Sequence, residues 1–171
     1  MNRFSTAKIC RAGIIASVYF VLTYFLQAIS FGPIQARVAE VLTILPLFFA
    51  EAVPALFIGC FFANFFSGFI VFDLTIGTFA TLLAGFLTRL VAKTVKNKHA
   101  KFILGAFPPV IINALLVPLV IYLSGGLTTT YFIQACIIFL GQALVVYPLG
   151  GILYYSLNSY KQNNPNLPLW K

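Results

Sequence analysis

The chain has 171 residues, of which 61% are hydrophobic and only 8% are charged, and its net charge is +8. Soluble domains carry about 45–50% apolar and about 25% charged residues, so this composition excludes an ordinary soluble fold. The apolar runs are long and do not alternate with polar residues, which excludes a β-barrel. We therefore predict a single all-α integral membrane domain over residues 1–171.

The first predicted element is a membrane helix over about residues 9–29. Arg3, Lys8 and Arg11 precede its apolar run, as in a signal peptide. The run is too long for a signal core, and further apolar runs follow it. The sequence Phe31-Gly32-Pro33 ends the helix, because proline disfavours helix at the residue before it.

The second predicted span is short, from Arg37 to Ala50, and a tight hairpin marked by Glu51 and Pro54 follows it. A helix of this length rises about 20 Å, whereas the hydrocarbon core is roughly 30 Å thick. We expect its outer end to stop below the external surface. Glu51 is interpreted either as a charge at the N-terminus of the third helix or as a contact for a cytoplasmic partner.

The remaining elements lie on both sides of a basic loop, Arg89 to Lys101. Asp73 is predicted to cap the fourth helix by accepting from the backbone N–H groups near Thr75 and Ile76. The tail after Leu157 is expected to be irregular. The predicted spans cover about residues 9–29, 37–50, 52–71, 74–91, 102–123 and 131–157.

Basic residues set the predicted orientation, because lysine and arginine concentrate on cytoplasmic loops. Six spans place both termini and the basic loop on the cytoplasmic side and leave only Arg37 outside. This is the topology of a multi-pass protein of the cell membrane. Basic residues that face anionic lipid account for the net charge, so no nucleic-acid partner is expected.

No catalytic motif is visible in the sequence. It has one histidine, His99, among lysines, and three widely spaced cysteines, Cys10, Cys60 and Cys136. We expect no enzyme activity, no metal site and no cofactor. No phosphate-binding loop is present, so uphill transport would draw on an ion gradient or on ATP hydrolysed by partner subunits.

Polar side chains within the apolar runs are the candidate binding residues. Ionisable groups in a span are costly and usually face a cavity or a partner. Arg37 and Glu40 share a helix face and are expected to pair. The alternative is a structural role, as an interfacial ion pair or as hydrogen bonds between helices. The candidate substrate-binding residues are Gln35, Arg37, Glu40, Asn64, Asp73, Asn113, Gln142 and Tyr147.

The first helix carries two overlapping pairs of small residues. Ala12 and Ala16 form one pair, and Gly13 and Ser17 form the other. Such spacing permits close approach of helices. Internal packing and docking of a partner are equally compatible with it.

Two stretches of the sequence resemble the QueT family. The first runs from Gln35-Ala36-Arg37-Val38-Ala39-Glu40 through Glu51-Ala52-Val53-Pro54 to Ala63-Asn64, and the second is Asp73-Leu74-Thr75-Ile76-Gly77-Thr78. The resemblance implies a six-helix substrate-binding (S) component of an energy-coupling factor (ECF) transporter. Its cargo would be a queuosine precursor, which is a 7-deazaguanine base.

The resemblance also implies partners and roles. An S component docks on a module of one transmembrane coupling protein and two ATPases, and Ala12 and Ala16 match its docking stripe. Glu40 would accept the ring N–H and the exocyclic amine of the base in a bidentate contact. Arg37 would orient Glu40 or donate to the carbonyl, and Asp73 would meet an aminomethyl cation.

Three alternatives stay open at this stage. The first is a self-sufficient, ion-coupled carrier of a small polar solute. The second is an S component for another vitamin, since one fold serves many functions. The third is a membrane adaptor that binds no small molecule.

Overall fold

The computed structural model describes residues 6–32, 35–126 and 129–167, and every element in this part of the chain is helical. The predictions for Arg3, Pro33 and Lys171 lie outside these residues. The α-helices are α1 (Thr6–Phe25), α2 (Gln27–Ser30), α3 (Ala52–Ala63), α4 (Ile70–Phe72), α5 (Thr78–Thr94), α6 (Lys98–Leu123) and α7 (Tyr131–Asn163). The other elements are a 3₁₀ helix (Val38–Leu47), a 3₁₀ turn (Asn64–Phe66) and a π turn (Asp73–Gly77).

Four helices in the described ranges are long and apolar enough to cross a membrane: Thr6–Phe25, Ile70–Thr94, Lys98–Leu123 and Tyr131–Asn163. The second of these consists of α4, the π turn and α5. Two further apolar segments, Val38–Leu47 and Ala52–Phe66, are shorter. The 3₁₀ helix rises about 20 Å at roughly 2.0 Å per residue, which is less than the hydrocarbon core.

Several predicted boundaries differ from the structure. The third span ends at Phe66 rather than at residue 71, and the next helix already begins at Ile70. Arg89 was expected in a basic loop but lies within α5, so the connection to α6 is only residues 95–97. The tail was expected to be irregular, yet α7 continues to Asn163.

The second predicted span is a 3₁₀ helix, and a repeat of three residues in its sequence explains its packing. A 3₁₀ helix has 3.0 residues per turn, so residues three apart lie in straight rows. One row is polar over most of its length, and the other two enter the apolar core clusters on either side. The rows are Arg37-Glu40-Thr43-Pro46, Val38-Val41-Ile44-Leu47 and Ala39-Leu42-Leu45-Phe48.

Two arginines hold the far end of the 3₁₀ helix. Arg89 of α5 donates from Nη1 to the backbone oxygen of Pro46 at 3.0 Å. Arg11 of α1 lies over the Phe49 ring at 4.5 Å and forms an ion pair with Glu51 at 2.8 Å. These contacts bring the basic ends of α1 and α5 to the same end of the bundle as the hairpin.

Small residues and a hydroxyl permit close packing of the long helices. A Cβ atom at Gly59 of α3 would lie only 2.7 Å from the backbone oxygen of Ala16, so glycine is required where α1 crosses α3. In α6, Pro109 has no N–H to donate to the oxygen of Gly105. Thr88 of α5 donates to that oxygen instead, at 2.9 Å.

Candidate functional site

Polar side chains from six parts of the chain meet in the interior of the bundle. Each is at most 4% exposed. They come from α1, from the 3₁₀ helix and the residues before it, from the end of α3, from the π turn, from α6 and from α7. We call this set the polar cluster: Tyr19, Gln35, Arg37, Glu40, Asn64, Asp73, Asn113 and Gln142.

Glu40 is held by the first helix. The Tyr19 hydroxyl donates to Glu40 Oε1 at 2.6 Å, and both side chains are fully buried. Asn113 approaches the carboxylate from α6. The other oxygen, Oε2, has no hydrogen-bond partner among the described residues.

Arg37 does not form the predicted pair with Glu40. Its Nη2 lies 3.6 Å from Asp73 Oδ1, its Nε donates to the backbone oxygen of Ser30 at 3.4 Å, and its guanidinium lies over the Phe31 ring at 4.8 Å. Arg37 and Glu40 do share a face, as predicted. The pairing does not form because each residue has a partner from another element: Asp73 for Arg37 and Tyr19 for Glu40.

Asp73 does not cap a helix, contrary to the prediction. The helix begins at Ile70, with Phe69 as its N-cap residue, and Asp73 lies one turn inside it. Its carboxylate instead accepts from the Ser67 hydroxyl and faces Arg37. A Cβ atom at Gly77 would lie 3.0 Å from Asp73 Oδ1, so glycine keeps the space beside this oxygen open.

Asn64 clamps the π turn. Its Nδ2 donates to the backbone oxygen of Asp73 at 2.7 Å and lies 3.1 Å from the Thr78 hydroxyl and 3.4 Å from Cys60 Sγ. π turns occur frequently at functional sites. The clamp fixes the amide orientation, because only the nitrogen can donate to a carbonyl, and it leaves Oδ1 toward the cluster.

Gln142 and Gln35 close another side of the cluster. Gln142 Nε2 donates to the backbone oxygen of Gln35 at 2.9 Å. Gln35 has a φ angle of 48°. A non-glycine residue with this backbone conformation is uncommon and is strained, and such residues concentrate at ligand sites.

Many buried polar atoms of the cluster lack a hydrogen-bond partner among the described residues. Native interiors leave few such atoms, because each costs about 1–3 kcal/mol. The concentration of these atoms in one place makes the cluster the candidate ligand site. They are Gln35 Oε1, Arg37 Nη2, Glu40 Oε2, Asn64 Oδ1, Asp73 Oδ1, Asn113 Nδ2 and Gln142 Oε1.

Tyr147 and the small-residue pairs lie elsewhere. The Tyr147 hydroxyl donates to the backbone oxygen of Ile103 at 3.3 Å, and its ring packs in an apolar cluster with Phe102. Ala12 and Ala16 pack inward against the core. Gly13 and Ser17 line an open groove of about 610 Å³ between α1 and α3.

The sequence reading missed Tyr19, Ser67 and Thr43. A tyrosine in an apolar helix is unremarkable, but Ile15, Tyr19 and Thr23 recur every four residues and are the buried residues of α1. That stripe is the signal that identifies the inward face. Among the described residues, no group of three or more His, Cys, Asp or Glu side chains could hold a metal ion.

Comparison with known proteins identifies the family. A family model described as QueT transporter matches residues 9–159. The queuosine precursor transporter QueT of Lactococcus lactis subsp. cremoris (strain MG1363) is 39% identical over 85 residues, which are 48% of this chain and 50% of that protein. The matched region thus spans about half the length of this relative. No solved structure matches the chain. The match over most of its length shows that the chain belongs to the QueT transporter family.

Proposed function

We propose that the chain is the substrate-binding subunit of an ECF-type importer and takes up a queuosine precursor, a 7-deazaguanine base. The observation that carries this proposal is the polar cluster, where buried hydrogen-bonding atoms from five parts of the chain are left unpaired. A site with few, well-placed polar groups in an apolar bundle is suited to a small heterocycle. The named relative is a queuosine precursor transporter.

The cluster offers both kinds of hydrogen-bonding group that the edge of such a base needs. Free carboxylate and amide oxygens accept from ring N–H and amine groups, and Arg37 and Asn113 donate to a carbonyl. Tyr19 occupies one oxygen of Glu40. We therefore assign the free Oε2 as the principal acceptor, in place of the bidentate contact expected from the sequence.

We propose that the protein lies in the cell membrane and crosses it with six spans. Both termini and the turn at residues 95–97 would face the cytoplasm. The two short segments, Val38–Leu47 and Ala52–Phe66, would complete the six by forming a hairpin whose turn lies on the cytoplasmic side. Basic residues at the joined ends of α1, α5, α6 and α7 support this orientation.

We further propose that ATP is used only by partner subunits, namely two ATPases joined to a transmembrane coupling protein. Docking is assigned to α1. Ala12 and Ala16 pack against the core, but Ala16 also borders the groove together with Gly13 and Ser17, so these three residues are assigned to the contact with a partner. Small residues at a helix surface permit close contact with another membrane helix.

The test of binding is titration of 7-aminomethyl-7-deazaguanine, queuine, guanine and riboflavin into the purified protein in detergent. We expect selective, saturable binding of a deazaguanine that is lost in Glu40→Ala. The matched control is Glu51→Ala, which removes a carboxylate outside the cluster. Failure of all four compounds to bind would refute the proposed cargo.

The test of the energy source is uptake of the labelled precursor by cells that express the chain with or without the ATPases. We expect uptake only when the ATPases are present. Uptake by the chain alone, abolished by collapse of the ion gradient, would instead establish a self-sufficient carrier.

A further inference from the structure

The charges of the polar cluster do not balance. Its members include one basic side chain, Arg37, and two carboxyl groups, Glu40 and Asp73, so one negative charge is left over when all three are ionised. Arg37 forms its ion pair with Asp73, whereas no ion pair of Glu40 is present among the described residues. A carboxylate buried without a counter-charge is costly.

Acceptors also outnumber donors among the unpaired hydrogen-bonding atoms of the cluster. The acceptors with an assigned orientation are Glu40 Oε2, Asp73 Oδ1, Asn64 Oδ1 and Gln142 Oε1. The amide oxygens are fixed as acceptors, because the nitrogen of each amide donates to a backbone carbonyl. The donors without a hydrogen bond are Arg37 Nη2, which already faces Asp73 Oδ1 in the ion pair, and Asn113 Nδ2. The cluster therefore lacks donors.

Both imbalances require the same property of a ligand. A ligand with one positive charge on an amine supplies the missing charge and several N–H donors at once. A neutral ligand of the same size supplies neither the charge nor the excess of donors. A Cβ atom at position 77 would lie 3.0 Å from Asp73 Oδ1, so glycine avoids crowding the second carboxylate.

We infer that the polar cluster selects a monocationic ligand, a heterocycle that carries a protonated amine, over its neutral analogues. This inference rests on the proposed function, because it concerns the ligand of the same cluster. The inference predicts different affinities for two deazaguanines, because the 7-aminomethyl compound is a cation at neutral pH and the 7-cyano compound is neutral.

The experiment compares these two compounds by isothermal titration calorimetry on the full-length chain, with the N-acetylated aminomethyl compound as a neutral ligand of larger size. We expect the amine to bind at least roughly 30-fold more tightly than either neutral compound. This is the lower end of the effect of leaving a buried charge without its partner. Equal affinity for amine and nitrile overturns the inference and leaves the proposed function intact. Binding of none of the three overturns both.

A variant tests the origin of the selectivity. Glu40→Gln removes the surplus negative charge while keeping the shape of the side chain, so the amine-to-nitrile affinity ratio should fall at least tenfold. Glu51→Gln, the same change at the hairpin, should leave the ratio unchanged. An unchanged ratio in Glu40→Gln would overturn the inference, and the ratio in the unsubstituted protein decides the matter if that variant does not fold.

Discussion

In the proposed site, Tyr19 decides which oxygen of Glu40 is left for a ligand. Its hydroxyl takes Oε1 at 2.6 Å and leaves Oε2 free. A carboxylate held at one oxygen has fewer orientations, so a ligand loses less rotational freedom when it binds the other oxygen. Tyr19 thus positions the proposed binding group, and it lies in the first helix, outside the two stretches that resemble the QueT family.

Removing the Tyr19 hydroxyl should weaken ligand binding through Glu40. A hydrogen bond to a charged group contributes about 1.5–3 kcal/mol, so Tyr19→Phe should lower affinity by roughly tenfold or more. In a Glu40→Gln background the same change should have a much smaller effect, and calorimetric titration of the four proteins gives this coupling. Tyr24→Phe, on the exposed side of α1, is the control. Equal losses in both backgrounds would show that Tyr19 acts on packing alone.

Seven of the eight residues of the cluster could be named from the sequence, but their partners could not. Ionisable and amide side chains stand out in apolar runs because they are costly there, and seven of the eight predicted binding residues lie in the cluster. Their contacts depend on elements distant in sequence. Arg37 meets Asp73 rather than Glu40, which is only three residues away.

At the scale of elements, the 3₁₀ helix aligns the proposed binding residues. In an α-helix, residues three apart are offset by about 60° around the axis, so Arg37, Glu40 and Thr43 would drift away from one face. With three residues per turn they stay in one row, between two rows that pack in the core. Its short reach was predictable from the sequence, but the helix type depends on this three-row packing.

An extra residue in the 3₁₀ helix should therefore abolish binding. Inserting one alanine after Val41 breaks the polar row: the part after the insertion is rotated by about 120° around the helix axis relative to the part before it. We expect no measurable affinity for the deazaguanine in calorimetry. Val41→Ala alters the same position without shifting the rows, and it should change affinity by only a few-fold. Retained binding in the insertion variant would contradict the alignment of the rows.

On the scale of the whole molecule, the basic residues other than Arg37 that the structure describes gather at one end. Three contacts join the ends of helices there. They are the Arg11–Glu51 ion pair, the hydrogen bond from Arg89 to the backbone oxygen of Pro46, and the contact of His99 with the Tyr155 hydroxyl at 2.8 Å. The opposite end, after α6, carries no lysine or arginine between Leu123 and Tyr131. This asymmetry is the basis of the proposed orientation.

Labelling with an impermeant maleimide should establish that orientation. In a background with Cys10 and Cys136 replaced by alanine, Lys96→Cys should react only after the membrane is opened, and Thr130→Cys should react in intact cells. Both positions are exposed in the structure. The reverse pattern would refute the proposed orientation.

Cys60 borders the polar cluster, and its burial makes it a natural probe of how often the bundle opens. Its Sγ accepts from Thr81 at 3.2 Å, whereas Cys10 and Cys136 are exposed. A membrane-permeable alkylating reagent reaches Cys60 only when helices separate. A ligand present at about 100 times its dissociation constant should slow that reaction roughly 100-fold and leave Cys10 unaffected. The rate of a chemical reaction at one sulfur atom would then measure the opening motion on which release of any cargo depends.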